Sequence, residues 1–442
     1  MIRLSARIAQ HPLGSALLSA LLGLGFVGLT RGATPAGTAT PAAAGLGVST
    51  DWPQFLGPTR NGVAGGPPLA RAWPKDGPPV IWQRSVGQGF SGPAVAGGEL
   101  ILFHRLGDQE TIECLDAATG KTAWTFHYPT GYQDDFGFDE GPRATPAIAA
   151  GKVYTFGAEG VLHCLDLATG KPLWGVDCRA RFAAGKGFFG IACSPLVEGG
   201  AVLLNVGGAK GAGIVAFDKD SGKLLWQATE DAASYSSPTV ATIDGQRYAL
   251  FLTRAGLAGL DPAVGKVRFQ FPWRSRMNAS VNAATPLVVG DLIFISAAYQ
   301  TGAAVLRVRH GALERVWSGD DILSDHYATS IYRDGFLYGY DARADVPPGC
   351  NLRCVELRTG KVRWSEDGFG AGTVLLAGDQ LVVLRDAGEL LLAPAIPTAF
   401  KPTARAQILG SGVRAYPALA AGRLFARSKD KLVCVELGAG HY

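Results

Sequence analysis

One phrase recurs through this chain at a nearly constant interval. It reads LDAATGKTAW ending at Trp124, LDLATGKPLW at Trp174, FDKDSGKLLW at Trp226, LDPAVGKVRF at Phe269 and VELRTGKVRW at Trp364. Eight positions before each aromatic stands an acid: Asp116, Asp166, Asp218, Asp261 or Glu356. Four before it stands Gly120, Gly170, Gly222, Gly265 or Gly360, followed by lysine. A degenerate copy, VRHGALERVW, ends at Trp317 without the acid or the turn glycine at that phase. Successive aromatics lie about 43–52 residues apart, a spacing that belongs to repeat architectures rather than to a chain with one unique core.

Each unit has a second landmark upstream: GPAVAG, TPAIAAG, SPLVEGG, SPTVATI, TPLVVGD, TSIYRDG, GTVLLAG and YPALAAG. Strand-like runs such as KVYTFG, LIFISAA and LVVLRD follow them. Four short strands per unit, joined by glycine-bearing turns, describe one blade of a β-propeller. The acid of the turn accepts from backbone N–H groups just ahead of it. The glycine supplies a positive φ. The aromatic fills the wedge between splaying sheets. Asp218-Lys219-Asp220-Ser221-Gly222 imitates the start of a calcium loop, but the position that would need Glu is Thr229, so it reads as the same turn.

Eight openings predict an all-β, eight-bladed propeller of four-stranded antiparallel blades. The last unit, CVELGAGHY, keeps Glu436 and Gly440 in phase but lacks its outer strand, whereas Trp82 in PPVIWQRSVG has an outer-strand context with no turn before it. The N-terminal strand is therefore expected to complete the eighth blade and leave no open edge. The propeller is assigned to 78–442, preceded by a lead segment over 51–77.

The D-x-x-T-G-K-x-x-W copies resemble the pyrroloquinoline-quinone (PQQ) type propeller repeat over roughly 80–440, and DWPQFLGPTRNGV resembles the lead segment of exported bacterial members. That group includes quinoprotein alcohol dehydrogenases and outer-membrane assembly factor B, a non-enzymatic scaffold. The resemblance implies the fold and leaves function to the site. The dehydrogenases imply PQQ, a calcium with acidic and amide ligands, an Asp base and a vicinal cysteine pair. This chain has no adjacent cysteines, and none of those functional residues aligns onto its loops. The expectation is a non-catalytic binding or protein-interaction scaffold of the cell envelope with no cofactor and no metal site. The alternatives are a small-ligand receptor in the central funnel and a dehydrogenase holding PQQ with calcium.

In a propeller, the loops entering the inner strands converge on the axis. Three residues before each landmark stand Phe90, Arg143, Ala192, Tyr235, Ala283, Tyr327, Gly370 and Arg414; Asn282 and His326 stand one position earlier. Arg143, Tyr235, Asn282, His326, Tyr327 and Arg414 are the candidate ligand-binding ring. Two arginines there favour an anionic partner. The competing reading pairs Arg143 with Asp139 or Glu140 and makes the tyrosines plugs. The two longest loops, 127–143 and 178–193, carry complementary charge and are expected to pack together over the funnel. Asp325 beside His326 has the order of an orienter and a base.

Cys114, Cys164, Cys354 and Cys434 share one repeat phase, so they read as small buried groups, while Cys178 and Cys193 leave a pairing open. Glycine makes up 60 of 442 residues, about twice the common ~7%, with no three-residue period, which excludes collagen. A net charge of +4 offers no argument for nucleic acid. Arg3 and Arg7 precede an apolar run from Leu13 to Leu29, and Arg31-Gly32-Ala33 follows. Residues 1–33 thus read as a secretory signal and 34–50 as a low-complexity linker. The mature chain is expected to be periplasmic or secreted without a membrane span, or tethered if the signal is not cleaved. Its partner is expected to be an envelope protein or a small anionic ligand.

Overall fold

The computed structural model describes residues 49–277, 280–342 and 349–440. The expected signal and most of the linker fall outside them. Among the described residues there are eight antiparallel sheets of four strands, one of them extended to five, and one short helix, Cys178–Phe182. Blades 1 to 7 follow the chain in order, beginning at Ala94, Ala147, Leu196, Thr239, Leu287, Ile331 and Gly372. Blade 8 takes its three inner strands from Ala418–Ala420, Arg423–Arg427 and Lys431–Glu436, and its outer strand from Val80–Ser85 near the N-terminus. The ring therefore closes as expected.

Burial explains the strand patterns. The middle strands of a blade are packed on both faces by neighbouring blades, so Leu100–Phe103 and Leu390–Ala393 are continuous apolar runs. The outer strand is half-exposed and alternates, as in Thr122–Pro129. Cys114, Cys164, Cys354 and Cys434 are fully buried, each directly opposite the tryptophan of its own outer strand. Burial pushes the Cys164 thiol up to about 11. Cys178 and Cys193 are buried and unpaired.

The recurring phrase is a junction between blades. Asp116 Oδ1 accepts from the Thr119 N–H at 2.8 Å and from its hydroxyl at 2.7 Å. Asp166 with Thr169 and Asp218 with Ser221 repeat the arrangement. These bonds, chiefly the one from the hydroxyl, hold the three carboxyls below their ordinary range. The turn then needs glycine twice over. Gly170 sits at φ +70°, and a Cβ on it would lie 2.5 Å from the ring of Trp124 in the preceding blade. That indole donates Nε1–H to the Leu167 carbonyl in the same turn, at 2.7 Å. Trp82, Trp174, Trp226 and Trp317 dock in the same way, onto the carbonyls of Ala117, Lys219, Pro262 and Leu357. The Trp82 contact seals blade 8 to blade 1, aided by Arg84, whose Nη2 donates to both carboxylate oxygens of Glu113 at 2.9–3.0 Å.

Three junctions depart from the pattern. Between blades 6 and 7, Trp364 keeps its bond, to the Ile396 carbonyl at 2.9 Å, but the turn it meets has no glycine. Between blades 4 and 5, Phe269 lacks a donor and faces a blade whose turn is the His310-Gly311 hairpin. Between blades 7 and 8, the outer strand Ala404–Gln407 carries no aromatic, and Trp73 of the lead segment packs against the same cluster as Ala404 and Ile408.

The lead segment also crosses the axis. Trp52 exchanges two backbone hydrogen bonds with Val95 of blade 1, and the Pro53 carbonyl accepts from Ile148 of blade 2. Arg60, buried, donates to the carbonyls of Ser194 and Pro195 at the entry to blade 3. Val63–Ala64 then runs parallel to the inner strand Gly372–Ala377 of blade 7, diametrically opposite blade 3. A segment joined to inner strands on opposite sides of the ring lies across the central channel.

Candidate functional site

Antiparallel strands reverse at every connection. The first and third turns of each blade therefore share one face, and the second turn and the entry to the next blade share the other. The tryptophan-locked turns occupy the first face. The second opens into a cavity of about 430 Å³. Seven of the eight positions three residues before the landmarks line it, from Phe90 and Arg143 round to Tyr327 and Arg414. At blade 7 the wall is Ala371, one residue past Gly370. Phe55 of the lead segment lines the cavity too, in an edge-on contact with Tyr416 at 5.2 Å, and Tyr416 is itself tied through its hydroxyl to the backbone of Thr329.

Each candidate residue can now be placed. Arg143 is on the wall and fully engaged. It pairs with Asp134 at 2.8 Å, rather than with the side chain of Asp139 or Glu140, and donates to the Asp139 carbonyl at 3.0 Å. Its guanidinium also lies within 6 Å of the Phe90, Tyr132 and Phe189 ring centroids. Tyr235 faces the cavity, and its hydroxyl accepts the N–H groups of Phe188 and Phe189 at 2.7 and 3.0 Å, so it anchors the loop above it. Asn282 does not reach the cavity. Its amide donates to the carbonyls of Thr253 and Trp273 at 2.8 and 2.9 Å, which satisfies a buried turn instead. Tyr327 is on the wall, and its hydroxyl is buried without a hydrogen-bond partner.

His326 is on the wall, but Asp325 does not orient it. Asp325 is fully buried and accepts from the N–H and hydroxyl of Ser330, and burial raises its carboxyl well above the usual range. His326 Nε2 instead meets the Tyr299 hydroxyl at 2.7 Å. Burial, with help from the charge of Arg414, lowers its imidazole to about 4, so it is neutral near pH 7. A base–orienter pair is thus absent at this step. Arg414 completes the wall. It stacks against Phe90 and Phe138 at 5.6 and 5.2 Å, and its Nε stands 3.9 Å from Asp386 Oδ2.

The two long loops pack together as expected. Lys186 pairs with Asp135 at 2.5 Å, while Phe136 and Phe138 gather against Phe188 and Phe189. Phe138 and Phe189 roof part of the cavity.

The ring rule missed Phe55, Phe138, Phe189, Tyr299, Asp386 and Tyr416. Tyr299 and Asp386 sit on second turns, which open on the same face, so that topology was the available signal. Nothing in the spacing pointed to Phe55.

Comparison with known proteins adds three findings. Residues 108–366 match the family described as outer membrane protein assembly factor BamB. The fold is similar to the crystal structure of BamB from Moraxella catarrhalis, with 17% identity and a TM-score of 0.60 over 82% of this chain and 99% of that one. It is also similar to quinohemoprotein alcohol dehydrogenase from Comamonas testosteroni, with 16% identity and a TM-score of 0.64 over 89% of this chain and 81% of that one. At such identities the likeness speaks for the fold alone. No significant match is found among curated proteins.

Proposed function

The chain belongs to the BamB family of PQQ-type propellers, and on that premise we propose that it is a non-catalytic binding propeller of the cell envelope, whose funnel face receives another envelope protein. The observation that carries this reading is the make-up of the cavity wall. Eight phenylalanine and tyrosine rings line it, with a single carboxylate, Asp386, beside Arg414. Aromatic walls with a few fixed polar groups suit recognition. General acid–base catalysis asks for a group poised near the working pH. His326, lowered to about 4, is not so poised.

The donor set also bears on a cofactor. Calcium takes six to eight oxygens, several of them from carboxylates. Among the described residues no cluster of three or more His, Cys, Asp or Glu side chains is placed to hold a metal. No cysteine lines the cavity. The residues present do not fit PQQ with calcium, so the proposed protein works without it. The family supports a location at the envelope, and among the described residues no helix is long and apolar enough to cross a membrane. With a net charge of +4, nucleic acid is not the proposed partner.

A photo-crosslinking residue in place of Phe136, on the funnel rim, tests the role in the intact envelope. Discrete adducts with an envelope protein are expected. Absence of any adduct, or alcohol-dependent dye reduction after incubation with PQQ and calcium, would overturn the proposal.

A further inference from the structure

The two arginines of the cavity differ in what remains available on them. Arg143 is 10% exposed and bonded to Asp134 and two carbonyls. Arg414 is 38% exposed, and its one ionic contact among the described residues is the 3.9 Å approach of Nε to Asp386. The contacts of its guanidinium plane are the Phe90 and Phe138 rings. A guanidinium already held against two rings has lost part of its rotamer freedom, so capture of a carboxylate by its terminal NH2 groups adds less ordering cost. The rest of the wall is mainly aromatic and its other arginine, Arg143, is already engaged, so a charged ligand group there is matched by Arg414, and a hydrophobic one does not need it.

The apolar surface does not end at the mouth. Phe136 and Phe138 are 52% and 45% exposed and continue it outward across the rim, where they meet Phe188 and Phe189. A free small acid would lie wholly inside a cavity of about 430 Å³ and leave that rim uncovered. A polypeptide passing over the rim covers both. We propose that the funnel binds a segment of a partner polypeptide in which a large apolar side chain stands next to an Asp or Glu, the apolar group entering the aromatic cup and the carboxylate pairing with Arg414. This rests on the binding reading above and names the chemistry of its partner.

Random heptapeptides displayed on phage and selected on the full chain test it. Sequences pairing Asp or Glu with a neighbouring Phe, Tyr, Trp or Leu should be enriched. Their synthetic forms should bind at least about tenfold more weakly to the Arg414→Gln protein, as expected for loss of a charge-assisted contact. They should lose as much when the acid is replaced by its amide, and the two losses should not add. An unchanged thermal midpoint for Arg414→Gln excludes misfolding. No enrichment, enrichment without the acid, or equal affinity for Arg414→Gln would overturn the inference. Competition by 3-phenylpropionate at the concentrations effective for the peptides would overturn it in favour of a small-acid pocket. Crosslinks from position 136 that persist in Arg414→Gln would leave the binding role standing while this assignment fell.

Discussion

On one face of the wheel, Trp82, Trp124, Trp174, Trp226 and Trp317 each meet the same partner, the glycine turn of the next blade, through the same ring contact and the same indole hydrogen bond. On the opposite face the blade entries share a relay of backbone N–H groups onto Ser and Thr hydroxyls, but the loops above them are held by different groups. The loop into blade 2 is held by Arg143 on Asp134, the loop into blade 3 by the Tyr235 hydroxyl, and the loop into blade 5 by the Asn282 amide. Repetition serves closure, since a ring is as sound as its weakest seam. Variety serves recognition, since a partner sees the sum of all loops at once. Damage to the first face should therefore cost stability, and damage to the second should cost binding.

Trp124→Ala tests that division most severely. It removes a large ring from the seam between blades 1 and 2 and leaves the Leu167 carbonyl without its donor. A large-to-small change of this kind costs about 3–5 kcal/mol. Denaturant unfolding should show a loss of that order, while the folded fraction keeps its affinity for any funnel ligand. A cost below about 1 kcal/mol, the scale of an ordinary substitution, would mean that the indole lock is ornamental.

The same division governs what the amino-acid sequence reveals. Asp116, Gly120 and Trp124 are legible because each has one local reason to exist, and that reason returns in other blades. Closure was legible because Trp82 had the context of an outer strand and Glu436 had lost its own. The ring of cavity positions was legible as geometry, since backbone phase alone brings Phe90, Arg143, Ala192, Tyr235, Ala283, Tyr327 and Arg414 to the wall. Which side chains stay available there was not legible. Asn282 turns to backbone carbonyls and Arg143 turns to Asp134 because burial obliges polar groups to find partners. Those partners are set by tertiary contacts that no repeat encodes. The lead segment was opaque for the same reason: Phe55, Arg60 and Trp73 answer to the axis and to the one seam that lacks its aromatic.

A matched pair of glycines sharpens the comparison within blade 2. Gly151 and Gly170 have nearly the same φ, +72° and +70°, so alanine meets the same left-handed penalty at both, roughly 1–2 kcal/mol. A Cβ on Gly151 meets nothing within 4 Å, whereas one on Gly170 meets Trp124 at 2.5 Å. Gly170→Ala should therefore be the more destabilising by about 1–3 kcal/mol, the scale of overpacking. In a Trp124→Ala background the difference should vanish. If the two glycines cost the same in the parent, the aromatic is not seated on its turn.

Acid should separate the two faces by pH. The turn carboxyls Asp116, Asp166 and Asp218 lie below their ordinary range, so what they contribute is present above the unfolded value near 3.8 and is lost only as pH falls below it. His326 on the cavity wall and His163, packed against Phe126 and Tyr128, are both lowered by burial to about 4 from 6.5. For them the unfolded chain takes up protons first. What they contribute is full above pH 6.5, falls as pH drops from 6.5 toward 4, and levels off below, while the raised carboxyl of Asp325 acts in the opposite sense. His326→Gln and His163→Phe should each remove that imidazole's share of the pH dependence between 6.5 and 4 and leave the carboxyl-linked loss below about 4 in place. Equilibrium unfolding across that range checks both, and an unaltered slope in both variants would mean that neither imidazole is held neutral by its surroundings.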